Sequence, residues 1–199
     1  MYDFTVVEKN LKELGYEVKV YATLKEAAEY LNSVIDDTTV GIGGSGTVKE
    51  SGLFETLAEH NKEVIWHWFQ PADEARKKAM ATEVYLTSTN ALAETGEMVN
   101  IDGCGNRVAS MLFGHKKVYY LVGRNKIVKT YEDAVWRARN IASPKRAQQM
   151  GRKTPCAVNA DKCYNCKSPE RVCHGMVTLW EPMMGMAAEV ILIDEDLGL

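Results

Sequence analysis

Three times over, this chain repeats one local grammar: a β-prone run, a polar Thr-x-x-acid turn, then apolar residues at helical spacing. Residues 17–22 (EVKVYA) lead to Thr23-Leu-Lys-Glu26 and then to apolar Ala27, Ala28, Tyr30, Leu31, Val34 and Ile35. Residues 39–43 (TVGIG) lead to Thr47-Val-Lys-Glu50 and then to Leu53, Phe54, Leu57 and Ala58. Residues 117–123 (KVYYLVG) lead to Thr130-Tyr-Glu-Asp133, with apolar positions at 131, 134, 135, 138 and 142. A Thr three residues before a carboxylate predicts a capping box, in which each side chain satisfies a free N–H of the other residue. Strands alternating with helices require crossover connections, and hence a mostly parallel sheet covered by helices on both faces. The expected fold class is therefore α/β. Further strands are expected at 63–68, 84–89, 98–102, 177–180 and 189–194, and a leading helix over 1–16 with Gly15 just past its end. Helical periodicity stops near Pro144. Over 144–175, Cys, Pro, Lys and Arg crowd into what reads as an irregular insertion within a single domain spanning 1–199.

Composition narrows the function classes. With 24 Lys and Arg against 27 Asp and Glu, the formal charge is −3. That balance argues against a nucleic-acid partner gripped by a broad basic face. No apolar run approaches the roughly 20 residues of a bilayer span, so no membrane partner is expected. The first residues, MYDFTVVEK, lack the apolar stretch of a signal peptide. Together with five cysteines, that points to a reducing, cytoplasmic setting.

In an open parallel sheet, ligands bind beyond the carboxyl ends of the strands, and three loops there are rich in Gly and polar residues. The first, Gly41-Ile-Gly-Gly-Ser-Gly-Thr47, has the form G-x-G-x-x-G. A dinucleotide site would also need an acidic residue closing the next strand, where this chain has Trp66-His-Trp-Phe69 instead. What remains is an anion cradle built on Gly43, Gly44, Ser45 and Thr47, or a plain strand-to-helix turn capped by Thr47. The second loop runs through Ser88-Thr-Asn90 and Asn100-Ile-Asp-Gly-Cys-Gly-Asn-Arg107. Its glycines at 103 and 105 suggest tight turns that gather Asp102, Asn106 and Arg107. The third, Gly123-Arg-Asn-Lys126, follows a buried strand and offers Lys126 as a point charge. Trp66, Trp68 and Phe69 read as an aromatic strand edge or as the shield of a pocket, His60, His67 and His115 as scattered, and the basic stretch from Arg137 to Lys153 as a solvated face or a docking site for an acidic partner.

The segments GIGGSGTVKESGL, YLTSTNALAETGEMVNIDGCGNRVA, VGRNKIV, TPC and SPERVC together resemble the LUD (lactate-utilisation) domain family over essentially the whole chain. The resemblance implies a Rossmann-like sheet similar to that of ribose-5-phosphate isomerase, glucosamine-phosphate deaminase and the coenzyme A transferases. It implies a role in oxidising lactate to pyruvate beside iron–sulfur oxidoreductase partners. Carried over by position, it marks Gly43, Gly44, Ser45, Thr47, Thr89, Asn90, Asp102, Gly103, Gly105, Asn106, Arg107, Gly123, Asn125 and Lys126. On that basis the cradle and Lys126 are expected to hold the carboxylate or phosphate of a small anionic metabolite. Asn90, Asn106 and Arg107 would orient it, and Asp102 would handle a proton. Fold relatives also leave room for a transferase or isomerase acting on a coenzyme A thioester or sugar phosphate.

Four cysteines fall close together: Cys156, Cys163, Cys166 and Cys173. A C-x2-C pair can place two thiolates on one metal, and the outer two can complete four ligands. Zinc and a [4Fe–4S] cluster both accept four thiolates, the spacing matches neither a standard zinc finger nor the bacterial ferredoxin run, and four reduced cysteines packed in a compact loop, with or without a labile C-x2-C disulfide, remain the alternative. A chain carrying such a cluster could serve as a non-enzymatic subunit of an oxidoreductase complex.

Overall fold

In the computed structural model, which describes residues 2–199, the three repeated units supply strands to one six-stranded sheet. Its members are β1 (Glu17–Tyr21), β2 (Thr39–Ile42), β3 (Glu63–Trp66), β4 (Val84–Thr87), β7 (Lys117–Gly123) and β10 (Ala187–Ile193). They lie in the order β1-β10-β7-β4-β2-β3, and every pairing is parallel. A second, smaller sheet has the order β8 (Ile127–Val128), β5 (Ala91–Ala93), β6 (Met98–Asp102) and β9 (Gly175–Leu179).

The period-2 alternation of the central strands sorts their side chains onto two buried faces. Val118, Tyr120 and Val122 of β7, with Val190 and Leu192 of β10, pack under α1 (Thr5–Glu13) through Val7 and Leu11. Tyr119, Leu121, Ile191 and Ile193 point the other way. They pack with Leu24, Ala27 and Leu31 of α2 (Leu24–Val34), Val48 of α3 (Gly46–Glu50), and Leu53 and Leu57 of α4 (Leu53–Ala58). Each fully buried Leu or Ile contributes about 2 kcal/mol, so both faces draw helices onto the sheet. The helix α5 (Ala72–Ala79) joins the first face through Ala75 and Ala79.

The three expected capping boxes fare differently. At α2 the box forms: the Glu26 N–H donates to Thr23 Oγ1, and the Thr23 N–H donates to the Glu26 carboxylate, both at 3.2 Å. At α3 it does not. The helix starts two residues earlier, with Ser45 as its cap, accepting from the Val48 N–H at 3.2 Å. Thr47 is buried inside that helix. At α7 (Tyr131–Arg137), Thr130 accepts from the Asp133 N–H at 3.1 Å.

Pro144 does not end the helical run. The chain passes from α7 through a π-helical turn, Ala138–Ala142, into α8 (Ser143–Gln149). Proline lacks an N–H, and it is tolerated where the wider turn gives way to the first turn of a new α segment. A short α9 (Pro155–Asn159) follows, leaving 160–174 as the irregular stretch. The strand expected at 177–180 appears as β9, but it pairs antiparallel with β6 instead of joining the main sheet. The strand expected at 63–68 stops at Trp66, whose carbonyl accepts the N–H groups of Phe69 and Gln70 as the chain turns back. Among the described residues, no helix is long and apolar enough to cross a membrane.

Candidate functional site

The chain leaves β2 outward to β3, then returns past it to β4, so the connections after β2 and β4 diverge. A strand-order reversal of this kind opens a crevice at the carboxyl ends. A hollow of about 460 Å³ lies there. Gly44 and Ser45 line it from the β2 loop, and Thr89 and Asn90 from the β4 loop. Asp102, Gly103, Asn106 and Arg107 come from the turn between β6 and α6 (Asn106–Leu112), and Lys126 from the turn after β7.

Lys126 is held from two sides. Its side chain is buried, and its Nζ donates to Thr47 Oγ1 at 2.9 Å and to Ser88 Oγ at 2.8 Å. Burial pushes its pKa down to about 7, with Arg137 and Arg107 nearby adding to the effect and Glu50 opposing it. Near neutral pH this amine sits close to its point of charge change.

Arg107 lines the hollow but spends most of its donors on the protein. Nη1 donates to Asn100 Oδ1 at 2.7 Å and to the Ser88 carbonyl at 3.2 Å. Nη2 donates to the Ile101 carbonyl at 2.8 Å and to Asn90 Oδ1 at 3.2 Å. Its guanidinium thus ties the β4 loop to β6. Burial lowers its pKa, and the carboxylate of Asp102, 3.6 Å from Nε, works against that. Asp102 divides its two oxygens. Oδ1 accepts from the N–H groups of Cys104 and Gly105 at 3.1 Å, whereas the buried Oδ2 has no hydrogen-bond partner. Thr89 turns inward, its hydroxyl donating to the Ala91 carbonyl at 2.8 Å.

Gly43, Thr47, Gly105, Gly123 and Asn125 stand behind the lining. A Cβ on Gly43 would lie 2.8 Å from the Tyr85 hydroxyl and 3.1 Å from Arg107 Cγ. Its close approach is therefore to the protein's own side chains. Thr47 holds Lys126, Gly105 opens α6, and Gly123 ends β7 under the C-terminal stretch. Asn125 grips that stretch, accepting the Leu197 N–H at 3.1 Å and donating to its carbonyl at 3.3 Å.

The LUD domain matches residues 4–193. The chain belongs to the LUD domain family. Its fold is similar to that of a DUF162 family protein from Deinococcus radiodurans, with a TM-score of 0.55 over 94% of each chain. At 13% identity, that likeness speaks for the fold alone. No curated protein matches the chain.

In this LUD domain, several lining residues carry little or no signal in the sequence, beyond the reading of Trp68 as a pocket shield. His67 and Trp68 bound the hollow from the turn after β3, and Arg146 of α8 lies over the Trp68 ring at 5.1 Å. Burial and the nearby Arg76 hold the His67 pKa below the usual imidazole range, and its buried Nδ1 has no hydrogen-bond partner. Arg146 belongs to the stretch that reads as a solvated basic face, and only the chain's return across the crevice brings it to the rim. Arg152 and Arg171 also reach the hollow, giving its lining more cationic than anionic side chains. Cys156, Cys163, Cys166 and Cys173 lie apart from the lining, around a second cavity.

Proposed function

We propose that this LUD domain binds a small anionic metabolite in the hollow, in a lactate-utilisation role beside iron–sulfur oxidoreductase subunits. The observation that supports this is the buried amine of Lys126, held by Thr47 and Ser88 at the meeting point of three loops. An arriving carboxylate or phosphate favours the charged amine, so binding draws a proton onto Lys126. Oδ2 of Asp102, with no hydrogen bond from the protein, is left to accept a hydroxyl proton of the ligand. The family name favours a 2-hydroxy or 2-oxo acid. A volume of about 460 Å³ exceeds what a three-carbon acid fills, which keeps sugar phosphates and coenzyme A thioesters in view.

The test is calorimetric titration of the full chain with lactate, pyruvate, inorganic phosphate, ribose 5-phosphate and coenzyme A. At least one should bind, weakly to Ser45→Ala and not at all to Lys126→Met. Because the amine must be charged to hold the anion, affinity should fall about tenfold for each pH unit above about 7. Silence toward every anion, or binding that survives both substitutions, overturns the proposal.

A further inference from the structure

Cys156 of α9, Cys163 and Cys166 of the irregular stretch, and Cys173 ahead of β9 all line one cavity of about 220 Å³. All four carry free thiols. Much of the remaining wall is apolar, with Ile101, Pro144, Ala147 and Met176 among its members. The stretch 160–174 contains no helix or strand, so little of its order comes from backbone ladders. Donors gather at the sulfurs instead. The Asn165 N–H lies 3.3 Å from Cys163 Sγ, and the Thr154 hydroxyl lies 3.3 Å from Cys156 Sγ. Arg171 binds the Cys166 and Cys173 carbonyls at 3.2 and 3.1 Å, which sets a guanidinium beside these thiols.

We propose that Cys156, Cys163, Cys166 and Cys173 ligate one [4Fe–4S] cluster in this cavity. A zinc ion with bonds of about 2.3 Å would need its four sulfurs roughly 4 Å apart. Among the described residues, no three His, Cys, Asp or Glu side chains come close enough to share a single ion. All four thiols nevertheless line one half-open cavity, and a cubane core carries its thiolates further apart than one ion does. N–H and guanidinium donors beside the sulfurs are the outer contacts that stabilise cluster thiolates.

The same segment braces the candidate anion site. The His174 N–H donates to the Asp102 carbonyl at 2.9 Å, and Gly175 pairs with Asp102 across β9 and β6. Ile101, Ser143, Arg171, Val172 and His174 line both cavities, so a single layer of residues separates the cluster from the hollow. The proposal stands whatever the hollow binds.

The test is the full chain purified without oxygen, and the apo chain reconstituted with ferrous iron and sulfide. Expected are a brown protein with a visible band bleached by dithionite, about four iron and four sulfide per chain, and a half-spin resonance signal on reduction. Cys163→Ser and Cys166→Ser should lose the iron or change that signal, whereas Cys104→Ser, outside this cavity, should keep both. One zinc per colourless chain overturns the assignment, as does failure to take up iron. So does wild-type iron content and signal in either serine variant. If those variants do not fold, metal and sulfide analysis of the wild type decides alone.

Discussion

Lys126 should weaken the fold that holds it, and the size of that burden follows from its burial. Unfolded, the amine titrates near the usual 10.5; folded, it is pushed down to about 7. Between those values the unfolded chain holds one proton more than the folded chain, so stability rises with pH by about 1.4 kcal/mol per unit. The burden is fully present below pH 7 and gone above 10.5, and at pH 7 it amounts to about 4 kcal/mol. Lys126→Met fills similar volume without a charge. It forfeits the hydrogen bonds to Thr47 and Ser88, about 1 kcal/mol each. The variant should therefore be about 2 kcal/mol more stable than wild type at neutral pH, while losing anion binding. The assay is urea denaturation of both proteins at intervals from about pH 7.5 to 9.5, where the thiols and tyrosines that also titrate are common to both proteins and cancel in the difference. Wild type should gain about 3 kcal/mol relative to the variant across it. Parallel curves, with a difference independent of pH, would refute the reasoning and show that the amine keeps its ordinary pKa.

Lys117→Met should cost about 3 kcal/mol in urea denaturation. It strips the cation at 2.7 Å from fully buried Glu189 and leaves that carboxylate with the Tyr30 hydroxyl and the neighbouring Glu17, and an unchanged midpoint would mean that water reaches Glu189. Gly103→Ala places a methyl 2.7 Å from the Val172 carbonyl oxygen, so about 1–3 kcal/mol of stability should be lost. Because that carbonyl belongs to the segment bracing Asp102, calorimetry should show weaker ligand binding as well; full stability with full affinity would show that the two loops part freely.

What the sequence revealed depended on how local each signal was. The strands of the main sheet were legible because β-prone runs alternate with helical spacing, and the Thr23–Glu26 box formed because all its partners lie within four residues. The Thr47–Glu50 box failed against a competitor two residues away: Ser45 caps the helix, freeing Thr47 to hold Lys126. β5 and β8, with three and two residues, are too short to show a period, so the second sheet went unseen. The site divides in the same way. Polar residues inside glycine-rich turns announce themselves, as Ser45, Asn90, Asp102 and Asn106 did. His67, Arg146 and Arg171 reach the hollow only through tertiary folding, and in sequence each resembles an ordinary surface residue.

Arg107 shows why the site cannot be divided cleanly into scaffold and function. Its guanidinium binds two carbonyls and two amide oxygens, so removing it would loosen the β4 loop and β6 together. That same fixed charge, with Arg137, helps to hold Lys126 near neutrality. Arg137 is anchored in turn, donating to the Asn125 carbonyl at 2.9 Å and to the Asn90 carbonyl. Two structural cations therefore set the electrostatic field in which the third must work. Because they cannot lose their protons near neutral pH, any change of charge among the three falls to Lys126. In the proposed reading, a hollow built this way would couple ligand charge to proton uptake through the very contacts that close its loops.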